Sequence, residues 1–169
     1  MGKNYVYRMD HDNGFAPNTN FGICSLTGCK NSKNGKKKNI EESAERGSWV
    51  IGIGGKGTKW PDKLIYAMEV ESNLSIEMFQ EKYPGKSKYL KGHSPGTNVL
   101  ISRQFYYFGE NAIDVPGELK HIIIDKQGCK KVSDEDIKKL KSHLSKKYKY
   151  GVHGDPNNNP EIKEKCKKC

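Results

Sequence analysis

No stretch of this chain approaches the roughly 18 consecutive apolar residues a membrane helix requires, so no α-helical span is expected. Met1-Gly-Lys-Asn-Tyr also lacks the apolar core of a signal peptide, and the expected location is the cytoplasm. Cysteine is sparse and odd in number, five in 169 residues. With no secretion signal, that count argues for reduced thiols rather than a disulfide framework. Arginine is scarcer still: Arg8, Arg46 and Arg103 are the only three. The five histidines are scattered and none sits in a metal-binding motif.

Apolar residues make up only 34 % of the chain, yet they are gathered into strand-like runs, which argues for a folded domain with a very polar surface. The length suits one domain able to bury a core without staples. Thirty Lys and Arg against twenty Asp and Glu give a formal charge of +10, an imbalance expected of a protein with a polyanionic partner.

Asn4–Met9 alternates as a strand, with Tyr5, Tyr7 and Met9 on one face. The polar stretch Asp10 to Asn18, with Gly14 and Pro17 inside it, reads as a loop, and extended structure resumes near Phe21 to Leu26. A short helix is expected over 40–46, with Asn39 as N-cap and Gly47 as stop, followed by paired strands at Trp49 and Leu64. Ser75 caps a helix running to about Tyr83. Strands are expected at 98–102, at 104–108 and at Ile122-Ile-Ile-Asp. Ser133, backed by Asp134, Glu135 and Asp136, starts the best-defined helix, striped by Ile137, Leu140 and Leu144.

The Gly52, Gly54, Gly55 and Gly57 cluster lacks the Lys-Ser/Thr and immediate helix of a phosphate-binding P-loop, and the dinucleotide fingerprint fails as well. It reads as an inter-strand loop, whose Gly54 and Gly55 let backbone approach a ligand and whose Lys56 can reach a phosphate. Trp49 and Trp60 offer flat faces beside it. In Gln104-Phe-Tyr-Tyr-Phe, Phe105 and Tyr107 point to one face and Tyr106 and Phe108 to the other, so one pair is expected in the core and the other free to stack.

Cys166 and Cys169 have the C-x2-C spacing of a zinc knuckle and Cys24 and Cys29 are five apart, but a four-cysteine site would need the tail to fold back beside the first loop, and no metal is expected. A nucleophilic set of Cys24, His153 and Asp155 is conceivable, without any catalytic-cysteine signature.

Taken in order, several segments resemble the second of the nucleotide modification associated domain families, related to the PUA-like superfold that includes EVE, ASCH and YTH domains. They are Asp10-x-Asp-x-Gly-Phe-Ala-Pro-Asn, Gly22-x-Cys-Ser-Leu-Thr-x-Cys-Lys, Gly47-x-Trp-Val-Ile-Gly-Ile-Gly, Ile65-Tyr-Ala-Met-x-Val, Val99-Leu-Ile-Ser-x-x-Phe-Tyr-Tyr-Phe-Gly and Gly151-x-x-Gly-Asp-Pro. The resemblance covers most of the chain. It implies a compact β-barrel flanked by short helices and an association with modified bases in DNA. PUA-like relatives that read such bases commonly use an aromatic-lined pocket at the barrel mouth.

The expectation is therefore an α+β domain, a single PUA-like barrel over 1–156 with a lysine-rich tail over 157–169. Its partner is nucleic acid, its ligand a flipped, modified base, and it needs no cofactor. Phe15, Trp49, Trp60, Tyr106 or Tyr107 would stack on the base, and Asp12, Asn18 and Ser102 would bond its edge. Lysines such as Lys30, Lys56 and Lys59 would meet phosphates, and Arg103, beside Ser102 on the aromatic segment, with Cys24, His153 and Asp155 completes the candidate set. The rival reading is an enzyme on a nucleotide or base, using Asp10, Asp12, Cys24 or His153 as acid, base or nucleophile.

Overall fold

The computed structural model describes residues 2–28, 39–87, 98–126 and 128–157. Lys30, Cys29, Cys166, Cys169 and most of both lysine-rich loops lie outside them.

Among the described residues nine strands form two sheets. β1 (Asn4–Met9), β3 (Trp49–Gly54), β4 (Leu64–Glu69), β7 (Phe105–Tyr107), β8 (Cys129–Val132) and β9 (Gly151–Val152) make a six-stranded sheet in the order β8-β1-β3-β4-β7-β9. β2 (Cys24–Leu26), β5 (Ser72–Ser75) and β6 (Asn98–Ser102) make a second, ordered β2-β6-β5. β4 runs on into β5, and β6 into β7, so two strand pairs pass from one sheet to the other. The corner is bonded by Glu69 N to Gln104 O and Glu71 N to Ile101 O. That corner gives a sandwich-like α+β fold. The expected closed barrel does not form among the described strands, because the outer strands β8 and β9 each pair on one side only.

Alternation along the strands explains the layering. Tyr5, Tyr7 and Met9 of β1, Tyr66 and Met68 of β4, and Phe105 and Tyr107 of β7 face the small sheet and pack with Cys24, Leu26 and Leu100. Val6, Trp49, Ile51, Ile53, Tyr106 and Phe108 face the other way. They are covered by α4 (Asp134–Lys147) and a 3-10 segment, Gly117–Ile122. α2 (Ile76–Lys82) closes the outer face of the small sheet with Phe79 on Val99 and Ile101. α1 (Ile40–Ser43) and α3 (Pro84–Ser87) are single turns.

The large sheet is thus buried on both faces. That overturns the expected division of the 105–108 run into a core pair and an exposed pair, since all four aromatics are 3 % exposed or less. Trp49, at 2 %, belongs to the same core.

Ile122-Ile-Ile-Asp is not a strand. Pro116 and Gly117 open a 3-10 turn, and Leu119 and Ile122 cover the sheet instead of joining it. The helix expected over 40–46 stops at Ser43, and Pro84 starts a new turn as its first residue, where its missing N–H costs nothing.

Candidate functional site

Strand direction gathers the loops. β1 and β3 are parallel, β4 is antiparallel to both β3 and β7, and β9 is parallel to β7. The carboxyl ends of β1, β3, β7 and β9 therefore meet at one edge of the sheet. The segments that follow them, starting at Asp10, Gly55, Phe108 and His153, form that edge together, a position where open sheets commonly hold ligands.

Contacts confirm the convergence. Gly55 N donates to Met9 O at 2.9 Å, and Gly57 lies so close to Asp10 O that a Cβ there would clash with it. Phe108 is followed by Gly109, at φ +54 and packed against Asp155 O, which accepts from Glu110 N at 2.7 Å. Asn157 joins three of the loops. Its Oδ1 accepts from Lys59 N at 2.7 Å, its Nδ2 donates to Gly109 O at 2.9 Å, and its N donates to Asp12 Oδ2 at 2.9 Å.

Asp12 is fully buried, and its other oxygen accepts the Tyr107 hydroxyl at 2.7 Å. Burial pushes its carboxyl up from the ordinary range, while the Tyr107 O–H and the Asn157 N–H pull it down. Tyr107 is pushed up by burial and then by the Asp12 charge. Deeper between the sheets, the Tyr7 and Tyr66 hydroxyls are bonded at 2.6 Å.

The exposed aromatic members of this edge are Trp60, 37 % exposed, and Phe15, 42 %. Trp60 Nε1 donates to Glu110 O at 2.6 Å, which fixes the ring, and the Lys59 and Lys63 ammoniums lie 5.5 and 5.2 Å from its centroid. Gly14, next to Phe15, lies against Pro156. Lys56, Asp10 and Asp155 are exposed on the same loops.

Other expected site residues lie elsewhere or have their polar groups taken up within the protein. Ser102 and Arg103 sit at the amino end of β7, the opposite edge, as does Trp49 at the start of β3. Ser102 is buried in its own turn, bonded to Gln104, and Arg103 is paired with Glu71. Asn18 is 2 % exposed and bonds Gly14 O and Asn20 N. Gly54 and Gly55 make room for the protein's own backbone, Trp60 O and Met9 O, and their amides already donate to Lys63 O and Met9 O. They present no free amide to a phosphate.

The imagined Cys24, His153 and Asp155 set is not assembled. Cys24 faces the inter-sheet core beside Met68, whereas the His153 ring stacks on Phe108, which belongs to the opposite face of the large sheet. Burial pushes the Cys24 thiol up to about 12, against the pull of the Lys86 charge, so it is a neutral thiol near pH 7. Lys86, 2 % exposed, donates to the carbonyls of Asn18, Asn20 and Ile23, and burial pushes its ammonium down to about 8. Sequence reasoning passed over both Lys86 and Asn157. A lysine beside Gly85 and an asparagine in Asn157-Asn-Asn carry no local mark of burial.

Among the described residues no three His, Cys, Asp or Glu side chains gather closely enough to hold a metal, and no helix is long and apolar enough to cross a membrane.

The fold and this edge define a class: a small α+β domain with one sheet edge that sets exposed aromatic rings among lysines, the side-chain chemistry of nucleotide contact. More particularly, the chain belongs to the nucleotide modification associated domain 2 family, whose model matches residues 1–95 and 82–163. No curated protein matches it. Among solved structures it is similar to an ASCH protein from Zymomonas mobilis, with 11 % identity over 89 % of this chain and 98 % of that one and a TM-score of 0.40. Similar too is a serine-to-alanine variant of that protein, at 11 % identity over 83 % and 96 % with a TM-score of 0.37.

Proposed function

We propose that this domain binds nucleic acid and receives a single, modified base at the loop edge after β1, β3, β7 and β9. The observation that carries the reading is Trp60: a tethered, partly exposed ring with two lysine ammoniums over it, which an incoming base would displace toward its own phosphates. A base stacked on that ring would bring its flanking phosphates within reach of Lys59, Lys63 and Lys56. Phe15 offers a second apolar surface on the neighbouring loop, and Asp10 and Asp155 offer acceptors to amino groups on a base edge. The family's association with nucleotide modification favours a modified base over an ordinary one.

The test is binding of short oligonucleotides with and without a modified base, by anisotropy. Trp60→Ala should lose about tenfold or more in affinity, since one base–aromatic stack is worth about 1–3 kcal/mol, with a melting temperature close to the parent's. Equal affinity of parent and variant would remove Trp60 from the site. Equal affinity of the parent for both oligonucleotides would remove base reading.

A further inference from the structure

The loop edge does not hold the protein's excess positive charge. Asp10, Asp62, Glu110, Asp114 and Asp155 lie on its loops, Arg8 is bound to Asp62 at 2.6 Å, and Lys63 stands 3.4 Å from Asp114. A phosphodiester backbone drawn to this edge alone would meet nearly as much repulsion as attraction.

Most of the chain's net charge of +10 sits on lysines of segments 29–38, 88–97 and 158–169, outside the described residues; within the described residues, α4 carries a local run of cations. Between Ile137 and Lys149 the chain has six lysines and no acidic residue. Ile137, Leu140 and Leu144 face the core, which turns Lys138, Lys146 and Lys147 outward. With Lys139, Ser142 and His143 they line an open groove of about 360 Å³, whose one acid is Glu118. Lys139 is paired with Glu135, and Lys141 is turned onto Trp49 and Glu69. Lys138, Lys146 and Lys147 have no ion pair among the described residues. Compensation of the helix dipole would account for lysines in the last turn, but not for Lys138 near the first.

Spacing and continuity both suit a polyanion. The levels 138/139, 142/143 and 146/147 recur every four residues, about 6 Å along the axis and near two phosphate steps of about 3.4 Å on one strand of a duplex. The carboxyl end of α4 reaches the loop edge, because the Tyr148 ring packs on Phe108 at 4.9 Å and on His153 at 5.5 Å.

We infer that the α4 groove is a separate subsite for the phosphodiester backbone of a nucleic acid. The inference rests on the proposed function only for the identity of the partner as nucleic acid. Lys138, Lys146 and Lys147 supply the charge; the loop edge supplies the discrimination.

The experiment uses the full chain and the triple variant Lys138→Gln, Lys146→Gln, Lys147→Gln, with the matching Lys→Arg triple as control. Binding to one short DNA duplex, unmodified or carrying 5-hydroxymethylcytosine, is titrated against salt. The Gln triple should bind both duplexes about tenfold or more weakly at low salt, flatten the salt dependence by about one unit of slope per lysine and keep the ratio between them. The Arg triple should keep parental affinity. Unchanged affinity and slope in the Gln triple overturn the groove while leaving base reading intact. The expected loss in a protein that does not distinguish the two duplexes upholds the groove and fails the proposed function. A parent that binds neither duplex overturns both.

Discussion

Glu41 shows how far a single residue departs from its sequence context. Its position in the first turn of α1 predicts an exposed carboxylate favoured by the helix dipole, yet it is 1 % exposed, with both oxygens 3.2 Å from the Gly28 amide. Burial pushes it up from 4.5 to about 7, more strongly than the Gly28 bond pulls it down. The folded chain therefore holds a proton that the unfolded chain has released between pH 4.5 and about 7, and stability falls as pH rises through that window. Glu41→Gln should remove this slope, adding on the order of 1–3 kcal/mol at pH 8 and little at pH 4, as read by urea unfolding at both. A parallel pH profile in parent and variant would assign the slope to other groups. Asp12 has a similar lesson. The sequence marks it as a polar group for a ligand, whereas the fold turns it inward, onto Tyr107 and Asn157.

Elements whose signals are local were legible. α4 runs from Asp134 to Lys147, and the Ser133 hydroxyl accepts from Asp136 N at 3.1 Å, where the sequence placed its cap. Ser133→Ala should lower stability by about 1 kcal/mol and the melting temperature by about 2–4 °C in a calorimetric scan. No change would mean that packing of Ile137, Leu140 and Leu144 alone sets the helix start. Strands β1, β3, β4 and β6 were equally readable from alternation or apolar runs. β8 and β9 were not. Cys129-Lys-Lys-Val carries the charge of a protected edge strand and hides its pattern, and Gly151-Val is too short to have one. Ile122 to Ile124 misled for the opposite reason: an apolar run records burial, and here the burying element is a 3-10 turn.

For the whole molecule, the decisive contact joins the end of the described chain to its beginning. Asn157, one residue beyond the domain boundary expected at 156, is 1 % exposed and ties the loops after β1, β3 and β7 together. Asn157→Ala removes its bonds to Lys59 N and Gly109 O; Gly109 O keeps the Ala112 amide, whereas the Lys59 amide loses its acceptor. The substitution should lower unfolding stability by about 1–3 kcal/mol and speed hydrogen exchange at the Lys59 amide, while amides of α4 keep their protection. Unchanged exchange at Lys59 would mean that the loops hold one another without it. The sequence by itself determined the family, the α+β class, the local elements and the positive charge, because each is written in residue types and short-range spacing. Only the tertiary structure decided that the described strands form two sheets rather than a closed barrel, that Trp49, Tyr106, Tyr107 and Cys24 are core, and that Trp60 alone of the two tryptophans stands at the loop edge. Those outcomes depend on which strands run parallel and on what covers each face of the large sheet, long-range pairings that short-range spacing does not encode.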